Sequence, residues 1–265
     1  MTRTSTDDAA QGGQITDRSR ILQLVDTLDA PSVSQLLQIA GALGATIEGQ
    51  VKEDAVLMEP AFRGEFEARL KVHHATHSKQ LDRISFEDAF RAASRRAGRT
   101  VVGSAHATAP FIDEVVDGEG VALKTTAARD VRAGTAHISK LCEASWIQDV
   151  RGAQAREGKA KEQIRRFLAQ ADRIYQLRVL PDRVNWKYQL IEIPVELFHP
   201  ILDLDRNFFA PDGPRIPISD AVGPCMTFVL DRSDAKITIA KIPVSRCIVH
   251  AEWTLPKKDG DLGSG

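Results

Sequence analysis

The sequence predicts an α/β fold: a mixed central sheet flanked by helices, with an N-terminal helical subregion and a β-rich C-terminal part. Three observations support this. Apolar residues recur at helical spacing over residues 20–98, alternating β-branched runs flank a glycine-containing turn near residue 118, and further strand-like runs follow towards the end of the chain. With 265 residues, 43% of them hydrophobic, the chain can bury a sizeable core.

Composition narrows the possible functions. The formal net charge of -1 argues against a protein that binds polyanions over its whole surface, so any contact with nucleic acid requires a local basic patch. Cys142, Cys225 and Cys247 stand far apart and lack the spacing of a zinc site, which fits a reducing compartment. No apolar run approaches the roughly 20 residues of a membrane span. We therefore expect a soluble, cytoplasmic protein.

The polar, glycine-containing ends of the chain, residues 1–18 and 257–265, are predicted to be disordered. Between them we expect a single domain, residues 19–256. Its predicted parts are a helical subregion at 19–84, a core at 85–195 and a β-rich part at 196–256.

The candidate chemistry lies in residues 111–126, which read as a β-hairpin. If Gly118 and Glu119 form its two-residue loop, Asp113 lies opposite Lys124, on the same face, with Cβ atoms roughly 5 Å apart. Such a pair suits metal-assisted hydrolysis of a phosphodiester: Asp113 would bind Mg²⁺, and Lys124 would orient or help deprotonate the attacking water. The alternative is a solvated cross-strand ion pair that contributes less than about 1 kcal/mol.

Helices are predicted on both sides of this hairpin. Residues 85–98 have Ser85 as a helix N-cap and an apolar stripe for burial. Glu87 in this helix is either a first-turn residue that favours the helix dipole or an acid that reaches the metal site. Residues 135–150 read as a second helix that carries Glu143, and residues 151–180 as mostly one long helix.

The strongest basic segment runs from Arg151 to Lys187, where ten Lys and Arg residues face four acids. This excess marks either a phosphate-contacting patch or an ordinary solvated helix face. Beyond it, residues 188–194 read as a covered central strand, residues 226–240 as a second hairpin and residues 246–255 as a last strand.

This order of elements resembles the PD-(D/E)XK nuclease superfamily and, within it, the type II restriction endonucleases. The residues that carry the resemblance are Phe86-Glu87, Ile112-Asp113 and Leu123-Lys124-Thr125. It covers about residues 85–195. In that family an acid two residues before the lysine completes the metal site, and here that position is Ala122. Some members of the superfamily supply the missing carboxylate from a helix; Glu143 and Glu87 are the candidates here, with a slight preference for Glu143.

The resemblance implies a Mg²⁺-dependent endonuclease that hydrolyses double-stranded DNA at a specific short sequence. A homodimer is expected because a palindromic target mirrors two-fold symmetry. We expect phosphate contacts from Arg151, Arg156 and Lys159, and base contacts from Lys236, Lys241 and Arg246. The alternatives are a non-catalytic DNA-binding protein that keeps a nuclease-like core, marked by Ala122, and an interaction domain without a nucleic-acid role.

Overall fold

A computed structural model describes residues 18–52, 55–103, 111–126 and 131–258. The chain divides into two compact units between Ala45 and Thr46. The predicted tails at residues 1–18 and 257–265 lie outside the described residues, apart from Arg18, Lys257 and Lys258. Among the described residues, no helix is both long enough and apolar enough to cross a membrane.

The first unit consists of helices. Helix α1 covers residues 18–25 and α2 covers Ala30–Gly44. Asp29 caps α2, because its carboxylate accepts a hydrogen bond from the Ser32 amide at 2.9 Å. Helix α2 contains no charged residue, and none of its residues is buried within the described structure. Leu36, Leu37 and Leu43 are exposed on it.

The described part of the second unit is built on two sheets with three α-helices. Its helices are α3 (Pro60–Thr76), α4 (Arg83–Arg96) and α5 (Ala153–Leu168). Its strands are β1 (Glu48–Val51), β2 (Val101–Gly103), β3 (Glu114–Val116), β4 (Glu119–Thr126), β5 (Thr135–Glu143), β6 (Arg173–Leu180), β7 (Asn185–Glu192), β8 (Arg215–Asp220), β9 (Gly223–Asp231), β10 (Lys236–Pro243) and β11 (Ile248–Pro256). Short 3₁₀ helices occur at Ser145–Ile147, Val195–Asp203, Arg206–Phe209 and Val244–Arg246.

Seven strands form the larger sheet, in the order β1-β11-β7-β6-β4-β3-β2. Strands β4 and β6 run parallel, and the other neighbours in this sheet pair antiparallel. The smaller sheet is antiparallel, in the order β5-β10-β9-β8. The predicted α/β class with a mixed, helix-flanked sheet is therefore confirmed.

Two hydrophobic cores cover the faces of the larger sheet. Helices α3 and α4 pack on one face through Phe62, Phe66, Phe86 and Phe90. Helix α5 and the smaller sheet cover the other face, where Ile164 and Phe167 of α5 meet Ala122 of β4. Strands β4, β6 and β7 are buried from both sides, so the seven-stranded sheet is a covered layer. The predicted central strand at residues 188–194 is confirmed over residues 188–192, which belong to β7.

Two predicted helices are wrong. Residues 135–150 form β5 followed by the 3₁₀ turn Ser145–Ile147. The register between β5 and β10 shifts between Ile237 and Ile239, so Ile138 and Leu141 both face the core although they are three residues apart. This β-bulge gives a strand the apolar spacing of a helix.

The predicted long helix at 151–180 ends at Leu168, and β6 begins at Arg173. The apolar residues of α5 and of the first part of β6 share one helical spacing, which hides the boundary between them; they are Ile164, Phe167, Leu168, Ala171, Ile174 and Tyr175. Strand β8, which begins at Arg215, was not among the predicted strands. Helix α4 begins at Arg83, two residues before the predicted start, because Asp82 is the N-cap and its carboxylate accepts from the Ser85 amide at 2.8 Å.

Candidate active site

The β3–β4 hairpin turns at Asp117 and Gly118, not at Gly118 and Glu119 as predicted. Both turn residues have positive φ, +52° for Asp117 and +90° for Gly118. This is the arrangement of a type I′ turn, which favours the Asp-Gly dipeptide. Val116 consequently pairs with Glu119, and Glu114 with Val121. The predicted pairing of Asp113 directly opposite Lys124 is therefore wrong by two residues.

The other glycine of the turn sequence, Gly120, is needed for close packing. A Cβ atom there would overlap the backbone carbonyl of Gln170, in the connection between α5 and β6. The Gly120 amide donates to the Asp172 carboxylate at 2.6 Å, and the Asp172 amide donates to the Gly120 carbonyl at 2.8 Å. These contacts anchor the hairpin to the start of β6.

Asp113, the residue directly before β3, nevertheless contacts Lys124 with its side chain. Its backbone amide donates to the Val121 carbonyl at 2.9 Å, and its Oδ2 accepts from the Leu123 amide at 2.7 Å. The Lys124 Nζ atom lies 3.3 Å from the same oxygen. The side chains of Asp113 and Lys124 are 17% and 16% exposed, so the pair is partly shielded from water.

Glu87 of α4 belongs to the same group of charges. Arg83, one turn earlier on the helix, places Nη1 2.7 Å from Glu87 Oε1 and 3.7 Å from Asp113 Oδ1. Burial and the neighbouring Asp113 carboxylate raise the pKa of Glu87, despite the opposing effect of Arg83 and Lys124. We call Arg83, Glu87, Asp113 and Lys124 the Asp113 cluster. Two carboxylates thus share one part-buried region with a cationic side chain between them.

Ala122, at the position where the resembling family has its second acid, is fully buried. It packs in the core beneath α5 on the same side of β4 as Lys124. Across the parallel β4–β6 pair, Gln176 is the register partner of Lys124 and is also fully buried. Its Nε2 donates to Thr126 Oγ1 at 2.7 Å and to the His137 carbonyl at 2.8 Å. This face of β4 therefore offers Lys124 and an amide, but no second carboxylate.

Glu143 does not lie in this cluster. It ends β5 in the smaller sheet, its side chain is 70% exposed, and its carboxylate pairs with Lys140. Within the described parts of the chain, no group of three or more His, Cys, Asp or Glu residues is arranged to hold a metal ion. Of the two acids considered for the missing ligand, the structure brings Glu87 towards Asp113 and leaves Glu143 on the surface.

The cations expected to contact DNA have different environments. Arg156 is buried in α5, where its guanidinium donates to the Phe209, Ala210 and Pro211 carbonyls at 3.0–3.1 Å. This binding anchors the 3₁₀ segment Arg206–Phe209 to α5, so it is a structural role. Lys236 pairs with Asp231 and Asp234, and Arg246 with Asp220. Arg151, Lys159 and Lys241 are exposed.

Sequence reasoning missed Arg83, Asp172 and Gln176. The spacing of Arg83 four residues before Glu87 is a recognisable helical ion pair, and it is the signal that was available. Asp172 and Gln176 follow from the α5–β6 boundary, which the predicted long helix obscured.

The second unit thus has a mixed sheet that is covered on both faces. An acid and a lysine meet at the end of the β3–β4 pair that lies away from the turn. This arrangement is consistent with a restriction-endonuclease-like core.

Comparison with known proteins supports the same class of enzyme. Residues 46–255 match the family model SmaI, described as "Type II site-specific deoxyribonuclease". The chain is also 26% identical over 205 residues to the type II restriction enzyme SmaI of Serratia marcescens, an alignment that covers 71% of this chain and 77% of that protein.

No solved structure gives a significant match. Because the family model spans most of the chain, the protein belongs to the SmaI family of type II site-specific deoxyribonucleases. The predicted class of enzyme, a type II restriction endonuclease, is therefore confirmed.

Proposed function

We propose that this protein hydrolyses double-stranded DNA at a specific short sequence in a Mg²⁺-dependent reaction centred on Asp113, Lys124 and Glu87. The observation that carries the proposal is the contact between Lys124 Nζ and Asp113 Oδ2 at 3.3 Å, beside a second carboxylate whose pKa is raised. Perturbed acids that share a site with a lysine are typical of catalytic centres. The wider proposal is that the second unit is a PD-(D/E)XK core.

The donor set fits Mg²⁺. This ion takes oxygen ligands, keeps several waters, and is commonly bound through one or two carboxylates together with substrate phosphates. Asp113 and Glu87 supply two carboxylates, and the guanidinium of Arg83 lies between them where positive charge is favoured. Bound Mg²⁺ would polarise the scissile phosphate and lower the pKa of a bound water. A site with two carboxylates therefore needs the DNA phosphate to complete it.

Each residue of the cluster has a distinct role in this proposal. The Leu123 amide fixes the Asp113 carboxylate through Oδ2 and leaves Oδ1 directed towards Arg83. Lys124 orients the attacking water, and its charge offsets the negative charge that develops on the phosphate. Arg83 is 61% exposed on its side chain, so it can leave the carboxylates and pair with a DNA phosphate when the metal enters.

We infer a homodimer, because the two equivalent scissile phosphates of a palindromic site match two active centres related by two-fold symmetry. The uncharged helix α2 gives a candidate contact surface through its exposed leucines. The described cysteines are free thiols, which supports action in the reducing cytoplasm.

Ala122 favours a second candidate, a DNA-binding protein that has kept a nuclease-like core without its chemistry. Incubation of a mixed-sequence plasmid with and without Mg²⁺, followed by sequencing of the ends, separates the two. Linear fragments with one recurring end sequence, formed in Mg²⁺ alone, are the expected result. Salt-sensitive binding without any cleavage would replace the first candidate by the second.

A further inference from the structure

A cleft of about 600 Å³ opens beside the proposed active site. Residues from β4, β5, β6 and β10 line it, together with Val131 and Arg132 shortly before β5. Three cations contribute, Arg132, Arg178 and Lys241, and none of the described lining residues is acidic. Burial and the positive charges of Lys236 and Arg215 lower the pKa of His137, which also lines the cleft. The described lining of the cleft therefore carries a net positive charge.

Arg178 is a buried cation that forms no salt bridge with a described carboxylate. It is fully buried on β6, and its guanidinium donates to the carbonyls of Arg132 at 2.5 Å and Thr135 at 3.0 Å and to Gln189 Oε1, whose amide nitrogen donates to Glu252. No described carboxylate forms a salt bridge with it, its Nε atom has no hydrogen-bond partner, and burial lowers its pKa. A buried cation of this kind is costly unless an anion compensates it. An anion in the cleft would provide that compensation.

Lys241 is placed by a β-bulge. It has a left-handed φ of +56°, unusual for a residue other than glycine, and lies where the register of β10 against β5 shifts between Ile239 and Ile242. Bulges redirect side chains next to functional sites, and strained backbone is frequent at ligand clamps. Here the bulge puts an exposed lysine on the cleft.

The cleft adjoins the Asp113 cluster along β4. Thr126 lines it and lies two residues after Lys124, on the same face and about 6–7 Å further along the strand. Thr126 Oγ1 donates to the His137 carbonyl at 2.9 Å, which joins β4 to β5 at this point. Phosphates of one DNA strand follow each other about every 3.4 Å along the helix axis. Thr126 therefore lies about two such phosphate spacings from Lys124 along the strand.

We propose that this cleft binds a DNA phosphate that flanks the scissile phosphate, with Arg132 and Lys241 as the contacting cations and Arg178 holding the segment that carries Arg132. The proposal rests on the proposed nuclease function and deepens it. It assigns Lys241 to the DNA backbone, where the sequence had led us to expect a base contact. A phosphate contact fixes the position of the duplex without reading its sequence.

The test compares two duplexes, one with the sequence found at the cut ends and one with that sequence shuffled. Affinity is measured by fluorescence anisotropy across a salt series, with Ca²⁺ in place of Mg²⁺. The variants are Lys241→Gln and Arg132→Gln, with Lys241→Arg as the charge-keeping variant. Arg96→Gln is the matched control, because Arg96 is an exposed cation in the last turn of α4, far from Glu87. Melting curves establish that each variant is folded.

We expect Lys241→Gln and Arg132→Gln each to weaken binding to both duplexes by about tenfold and to reduce the salt slope by about one. Lys241→Arg should retain most of the affinity, and Arg96→Gln should match wild type. Unchanged affinity in both glutamine variants would overturn the proposal, as would a loss restricted to the cut-site duplex, which indicates base reading. If the wild-type protein neither binds nor cuts DNA, the proposed function itself fails. If the wild-type protein cuts DNA and the cleft variants bind DNA with wild-type affinity, only the cleft proposal fails.

Discussion

At both ends of the β3–β4 hairpin, carboxylates lie beside cationic side chains, but the contacts are closer at one end than at the other. Near the turn, Glu119, Arg173, Glu192 and His250 form a chain of close contacts, which we call the Arg173 network. Arg173 lies 2.6 Å from Glu119 and 3.0 Å from Glu192, and His250 lies 2.9 Å from Glu192. At the open end, the contacts of Asp113 within the Asp113 cluster are longer: its carboxylate lies 3.3 Å from Lys124 Nζ and 3.7 Å from Arg83 Nη1.

The pKa values of Glu192 and Glu87, one carboxylate from each group, shift in opposite directions. Burial alone would raise the pKa of Glu192, but His250 and Arg173 outweigh it and lower the value. Burial and Asp113 raise the pKa of Glu87, and Arg83 does not offset them. One carboxylate is thus fully compensated by protein cations, whereas the other is left to favour an additional positive charge. We infer that the Arg173 network is structural and that the Asp113 cluster is available for a metal ion.

The largest effect is expected from the Asp113 cluster. Asp113→Asn or Lys124→Ala should slow DNA cleavage on the order of a thousandfold, because metal positioning or water orientation is lost. Glu119→Gln, a matched loss of charge in the Arg173 network, should stay within about twofold of wild type. The measurement is single-turnover cleavage of a plasmid with the enzyme in saturating excess. Comparable losses in Asp113→Asn and Glu119→Gln would remove the distinction between the two ends.

A smaller effect on cleavage, with an opposite effect on stability, is expected for Glu87→Gln. Removal of one anionic oxygen should raise the Mg²⁺ concentration for half-maximal cleavage by about tenfold. Because the folded-state pKa of Glu87 is raised, its ionised form destabilises the fold above that pKa. The variant should therefore be more stable than wild type at neutral pH, and the difference should narrow as the pH falls through the pKa of Glu87.

Thermal melting from pH 7 towards pH 4 tests the stability part of this prediction, and a Mg²⁺ titration of cleavage tests the other. Glu143→Gln is the control for both, because its exposed carboxylate pairs with Lys140 outside the cluster. A change in Mg²⁺ dependence in Glu143→Gln but not in Glu87→Gln would restore the predicted preference for Glu143.

The smallest effect is expected in the Arg173 network. Arg173→Gln removes the cation between Glu119 and Glu192, so the free energy of unfolding should fall by about 1–2 kcal/mol, moderated because Arg173 is partly exposed. Urea denaturation at pH 7 measures this change. The Mg²⁺ dependence of cleavage should be that of wild type, and a clear shift in it would assign a catalytic role to the network.

The sequence led to the Asp113–Lys124 pair even though the predicted register was wrong. A slip of two residues leaves every side chain on its original face, so the acid and the lysine still meet. The predicted register is shifted by two residues because it takes Gly118-Glu119 as the loop. Asp117-Gly118 is the dipeptide that suits positive φ at both loop positions.

The misplacement of Glu143 has a different cause. Tertiary pairing with β10 forces a bulge into β5, and the resulting apolar spacing imitates a helix. A single sequence carries no local signal of a bulge that a distant strand imposes. The proximity of Glu87 to Asp113 likewise depends on how α4 packs against the sheet, so the sequence allowed both roles for Glu87 and decided neither.

The most direct test of the central claim locates the metal. Fe²⁺ in place of Mg²⁺, with ascorbate and peroxide, generates radicals that cut the polypeptide next to the bound ion, and the fragments are read by mass spectrometry. We predict cuts near Asp113 and Glu87 in wild type, suppressed by excess Mg²⁺ and lost in Asp113→Asn. Cuts that persist in Asp113→Asn, or that fall near Glu119, Glu143 or Glu192 instead, would contradict this assignment of the active site.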